Sequence, residues 1–190
     1  MTLLTVWADD DPATALVRTR DGEEVADELK QIGVRFDRWP VLDLPAQPTS
    51  DEVLAAYAPQ VKHVIDTEGY ILVDAMSMNP SDDPEWLAKA AQARQKFLAE
   101  HTHDDAEDRF FARGAGVFYL HAGGNVYAVL CEAGDLLSVP AGTTHWFDMG
   151  SRPDFVAIRF FHEEDGWVGS FTGSPVAERF PDFDTLAGRD

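Results

Sequence analysis

From residue 100 onward the chain is a succession of short apolar runs, roughly 108–112, 117–121, 125–131, 135–139, 144–148 and 155–162, separated by Gly, Pro and Asp. A spacing of about ten residues between such runs is the signature of an all-β sandwich or barrel. The first 99 residues have a different texture. Leu3 to Trp7 reads as a short strand. Asp21 with Glu24 has the form of a capping box, and Val25, Leu29 and Ile32 follow at helical spacing until Gly33 stops the helix. Val34 to Trp39 alternates like a strand. Thr49 and Glu52 then open a second helix whose apolar face is Val53, Tyr57, Val61, Val64 and Ile65. Tyr70 to Met76 is β-rich, and a helix is expected over roughly 85–98. The tail from about 163 reads as loops with a short turn or helix wrapping the barrel. The expectation is one domain, 1–190, with a mixed helical part over 1–99, a β core over 100–162 and a tail over 163–190.

Charge and cysteine content remove several classes of function. Fifteen Lys+Arg stand against 34 Asp+Glu, a formal net charge of −19. Nucleic acids and anionic membranes bind through clustered Lys and Arg, so neither is expected as a partner. No apolar run approaches the ~18 residues a membrane helix needs. The opening MTLLTVWADDD lacks a basic stretch and turns acidic at once, unlike a signal peptide. Cys131 is the sole cysteine. An internal disulfide and a multi-thiolate zinc site are thereby excluded, and Cys131 reads as a small buried hydrophobe. A cytoplasmic location follows as the expectation.

The chemistry is concentrated in a few of the six histidines. In His101-Thr102-His103 the imidazoles lie two apart, so on a strand both face the same way. Glu107 and Arg109 follow on the same parity, then Gly114. A second cluster runs from Gly134 to His145, where Pro140 and Gly142 define a tight turn that delivers His145 to the next strand. A bare HxH is more often a solvated pair on an edge strand. With Glu107, Gly114 and the second cluster present, the metal reading dominates. Three imidazoles and a carboxylate suit Fe(II), Ni(II), Mn(II) or Zn(II). On an octahedral ion they leave two open positions, enough to chelate an enediolate or α-hydroxycarbonyl. Arg159, a lone cation in the apolar run 155–161, needs a partner. His63 reads as solvated, His121 as structural, and His162 as protonated beside the acidic turn Glu163-Glu164-Asp165.

The two clusters resemble the paired motifs of the cupin superfamily. More narrowly, Gly33–Trp39, Phe97–His103, Arg109–Phe111, Val129–Glu132, Ser138–Ala141 and His145–Gly150 are similar to the acireductone dioxygenase family of bacterial methionine salvage. The resemblance implies a mainly β fold, a cupin double-stranded β-helix (jelly-roll) barrel with N-terminal helices and short strands packed around it. It implies His101, His103, Glu107 and His145 as ligands of one Fe(II) or Ni(II) per chain. Arg109 would stabilise a substrate dianion, and Phe97, Phe147, Arg159 and Trp167 would line the pocket. Glu100 would assist metal incorporation or order around the ligands, although strand parity turns it away from them. The implied partners are an acireductone with a methylthio tail and O2, and the implied state is a monomer. Gln95 and Met149 depart from the general cupin pattern, and Ala106 stands where the family usually has an acid, a role open to Asp104, Asp105 or Asp108. Two rivals stay open: a sugar-phosphate isomerase or epimerase, which needs several cations for the phosphate, and a non-catalytic ligand-binding cupin.

Overall fold

The computed structural model describes residues 1–163 and 167–188. In chain order the elements are β1 (Leu3–Ala8), β2 (Asp11–Thr19), α1 (Gly22–Lys30), β3 (Arg35–Arg38), α2 (Ser50–Ala56), α3 (Ala58–Glu68), β4 (Leu72–Met78) and α4 (Pro84–Phe97). They continue with β5 (His101–Thr102), β6 (Glu107–Ala122), β7 (Asn125–Glu132), β8 (Asp135–Val139), β9 (Thr144–Asp148), β10 (Phe155–Phe161) and β11 (Ser170–Phe171). A 3₁₀ turn (Val176–Arg179) and α5 (Phe183–Ala187) follow. None of these helices is long and apolar enough to cross a membrane.

All pairings are antiparallel, and the strands form two facing sheets that share β6. One has the order β11-β5-β9-β6-β7-β1-β2. The other runs β4-β10-β6-β8-β3. This is the jelly-roll barrel. The long strand β6 passes from one sheet to the other at Gly114: residues before it pair with β8 and β10, and residues after it with β7 and β9. Gly114 has φ 72°, a left-handed value that glycine adopts without a Cβ penalty. The bend also changes which residues face inward. Phe111 points into the barrel before it, and Phe118 and Leu120 point inward after it, an odd step that only a local irregularity allows.

Burial on both sides explains why the strands read as nearly continuous apolar runs. In β7, Tyr127, Val129 and Cys131 face the barrel interior, while Val126, Ala128 and Leu130 face outward. The outer face of the first sheet is covered by the tail, through Val176, Phe180, Phe183 and Leu186. The outer face of the second, with Phe110, Val156, Ile158 and Phe160, is covered by Val53, Tyr57, Val61 and Val64 of the α2–α3 region. Cys131 is fully buried and free.

Helix starts follow the expected caps. Asp21 accepts from the N–H groups of Glu23 and Glu24, and Thr49 and Glu52 form a reciprocal capping box. Three details differ from the sequence reading. The helix expected to continue through Tyr57 is two helices, because Pro59 in the first turn of α3 cannot continue the preceding hydrogen-bond ladder. The runs 108–112 and 117–121 are one strand. The segment 11–19 is a strand, on the sheet edge and mostly exposed.

A Cβ on residue 114 would sit 1.9 Å from the Asp154 carbonyl oxygen. Gly114→Ala is therefore expected to destabilise the fold by about 3 kcal/mol or more, from the left-handed backbone and the clash together. Denaturant unfolding checks this; a loss below about 1 kcal/mol contradicts the role given to the bend.

Candidate metal centre

Register brings the first two imidazoles together. His101 of β5 is the cross-strand partner of His145 of β9, and their rings lie 4.5 Å apart. His103, just beyond β5, lies 4.8 Å from the His101 ring and 5.0 Å from that of His145. The turn expected at Pro140 and Gly142 is present, and the Gly142 N–H donates to the His103 carbonyl at 2.8 Å, tying the two histidine-bearing segments together. Glu107 opens β6. Its Oε2 stands 3.3 Å from His103 Nε2 and 3.2 Å from His145 Nε2. All four side chains are buried, Glu107 and His145 the most deeply.

The orientation of the rings bears on what the cluster could hold. Nδ1 of His101 is 2.7 Å from the Ala99 carbonyl, that of His145 is 2.7 Å from the Thr143 carbonyl, and that of His103 is 3.1 Å from the Val168 carbonyl. A carbonyl only accepts, so each Nδ1 carries a proton, and in the neutral ring each Nε2 keeps a lone pair that could bind a cation; without one, Nε2 of His103 and of His145 can instead carry a proton toward Glu107 Oε2. One ligand atom from each imidazole lies within 4.8 Å of the others, and the Glu107 carboxylate adds a fourth donor. Electron-rich atoms converging this closely among buried side chains are well matched to a cation. Outward hydrogen bonds that fix the tautomer are the usual support of metal-bound histidine. The donor set fits a divalent ion.

Arg109 adjoins this cluster. Its Nη2 donates to Glu107 Oε1 at 2.8 Å, and its guanidinium lies over the rings of Phe147, Phe118 and Trp167 at 4.5, 4.9 and 5.4 Å. Burial would raise the Glu107 pKa, but Arg109 and the hydrogen bonds from His103 and His145 hold it well below the usual carboxylate range. Burial pulls the Arg109 guanidinium down from its ordinary value, and Glu107 opposes that. Burial lowers the His101 pKa, with the Ala99 hydrogen bond opposing it.

A cavity of about 590 Å³ runs outward from these four side chains. Arg109, Phe97, Phe147, Arg159 and Trp167 all line it. Phe97, the last residue of α4, meets Phe147 edge-on at 6.4 Å. The partner that Arg159 required is Asp74 of β4, which accepts two hydrogen bonds at 2.8 and 2.6 Å. Asp74 also lines the cavity and went unnoticed in the sequence, although a lone carboxylate in the run 70–76 carries the same signal that singled out Arg159. Glu100 lies away from the cavity and faces His121 and Thr172.

The remaining acids and histidines have other occupations. Asp105 is held by His162, and Asp108 by Arg35 and Tyr70. Asp104 is exposed. Burial alone would lower the His162 pKa, but hydrogen bonds to the Glu68 carbonyl and to Asp105 raise it. Of the acidic turn expected beside it, Glu164 and Asp165 lie outside the described residues. His63 is exposed on α3.

A model of the ARD/ARD′ family matches residues 6–169. An acireductone dioxygenase of Saccharopolyspora erythraea is 66% identical over 186 residues, covering 98% of each chain. Acireductone dioxygenase 1 of Nocardia farcinica is 55% identical over 189 residues, 99% of this chain and 100% of the relative. Among solved structures, an acireductone dioxygenase from Bacillus anthracis with a cadmium ion in its active center superposes with a TM-score of 0.76 at 26% identity, covering 90% of this chain and 98% of that one.

Replacing His101 or His145 by Ala removes one convergent donor and is expected to leave the fold intact, checked by circular dichroism. Each variant is expected to lose stoichiometric divalent metal, measured by elemental analysis after dialysis; full occupancy in either would remove that residue from the ligand set.

Proposed function

The chain belongs to the ARD/ARD′ family, and we propose that it acts as an acireductone dioxygenase whose substrate is 1,2-dihydroxy-3-keto-5-methylthiopentene, cleaved by O2 in methionine salvage. With Fe(II) the products are formate and 4-methylthio-2-oxobutanoate. With Ni(II) they are methylthiopropanoate, formate and carbon monoxide. The observation that carries this reading is the convergence of three Nε2 lone pairs and Glu107 at the base of a cavity whose wall holds Arg109 and aromatic faces. The enzyme works as a cytoplasmic monomer, and a single buried thiol suits a reducing compartment.

His101, His103, His145 and Glu107 would hold one divalent ion per chain, Fe(II) or Ni(II), and that ion would supply Lewis acidity favouring the deprotonated enediol. Arg109 is the cation that meets the substrate's negative oxygens. Its surroundings of Phe118, Phe147 and Trp167 keep water away, so its charge acts with little screening. Its tie to Glu107 fixes where that charge sits before substrate arrives. Phe97 and Phe147 offer the methylthio tail an apolar wall. Asp74 neutralises Arg159, so the charge facing the substrate is concentrated at the Arg109 end of the cavity.

The sugar-phosphate reading loses its cations. Arg113 is engaged by the carbonyls of Pro45 and Ala46 and by Asn79, and Arg152 pairs with Asp82.

Oxygen uptake on adding the acireductone to the Fe(II) form is the direct test, and no uptake would overturn the reading. Arg109→Ala is expected to keep the metal and lose turnover by about a hundredfold or more. Normal turnover would remove Arg109 from the reaction. The net charge of −19 repels an anionic substrate at a distance. Second-order turnover is therefore expected to rise as ionic strength goes from about 0.01 to 0.15 M; a fall would show that the local field governs capture.

A further inference from the structure

The three ligand histidines are not oriented in the same way. His101 and His145 donate to carbonyls two residues earlier in their own segments, Ala99 and Thr143, so their rings are fixed locally. His103 donates to Val168, which belongs to a different part of the chain. The orientation of His103 therefore depends on where residues 167–172 lie.

That strap is fastened at two points. At its start the Trp167 Nε1–H donates to the Ala106 carbonyl at 3.1 Å. At its end the Thr172 N–H donates to the Glu100 carbonyl at 3.0 Å, and the Thr172 hydroxyl donates to Glu100 Oε2 at 2.6 Å. Between these points, β11 pairs with β5 through only two residues, Ser170 with Thr102 and Phe171 with His101. So short a strand at a sheet edge, with both its residues exposed, has little packing to hold it. Glu100 is itself set in place. It is 4% exposed, and its Oε1 lies 2.7 Å from Nδ1 of His121, whose Nε2 lies 3.2 Å from Asp9. Both nitrogens of His121 face carboxylates, so this imidazole donates from each as a cation.

We propose that Thr172 is a positioning residue for the metal ligand His103: its hydroxyl clips residues 167–172 to the buried Glu100 and so keeps the Val168 carbonyl on His103 Nδ1. Glu100 thus acts on the site through the strap, without touching the ligands. Bond by bond, the chain runs from Asp9 through His121, Glu100 and Thr172 to the strap. The proposal rests on the assignment of His103 as a ligand.

The test compares Thr172→Val, which keeps the shape and removes the hydroxyl, with Thr172→Ser, which restores it. Ni(II) affinity is measured by competition with a chelator, and the tautomers of His101, His103 and His145 by nitrogen-15 NMR on the metal-free protein. Thr172→Val is expected to bind Ni(II) about tenfold more weakly and to lose the Nδ1-protonated preference at His103 alone, while Thr172→Ser stays within about twofold of the parent. Any of three results overturns the proposal: an unchanged His103 tautomer in Thr172→Val, a parallel change in all three histidines, or a Ser variant as impaired as the Val variant. A parent protein that fails to bind Ni(II) would instead refute the ligand assignment, and the tautomer measurement would still decide what the hydroxyl does.

Discussion

Backbone carbonyls hold the Nδ1 protons of His101, His103 and His145, and the rest of the site depends on that. With those protons fixed outward, the three Nε2 atoms point inward beside Glu107, which accepts from Arg109 at its other oxygen. Buried donors packed this closely need a positive charge among them, and a divalent cation or a shared proton could supply it. The fold supplies the rigidity this requires, because two of the imidazoles sit on paired strands and the carboxylate opens the strand common to both sheets.

Much of this was legible in the sequence where a side chain's type and its strand parity carry the information. His101, His103, Glu107 and Arg109 stand two or four residues apart, and a strand turns that spacing into a common face. His145 was legible because Pro140 and Gly142 advertise a turn. Arg159 was legible as a charge out of place, and Asp74 carried the same signal unread. The strap's part was not legible: the atom that orients His103 is a carbonyl, which every residue possesses, contributed from 65 positions downstream. The role of Glu100 was hidden for a related reason. Parity shows that it points away from the ligands and says nothing of what awaits it there.

Errors in the fold reading have equally particular causes. Gly114 and Gly116 in the stretch 113–116 resemble a loop, yet they let one strand bend and let Phe147 approach: a Cβ at Gly116 would lie 2.5 Å from its ring. β2 shows no alternation because it is an edge strand with little to bury. The barrel strands could be placed closely because both of their faces are covered, so each appears as an uninterrupted apolar word between polar stops.

The shared strand has a consequence for how the molecule comes apart. Since β6 belongs to both sheets, neither can peel away as an independent unit, and Glu107 and Arg109 lie on its part in the second sheet while His101 and His145 lie in the first. Opening the barrel and dispersing the donors are thus a single cooperative event. Protein that keeps these donors together through a partial thermal or proteolytic challenge has kept the whole barrel closed, and the helical coat is the part free to melt first.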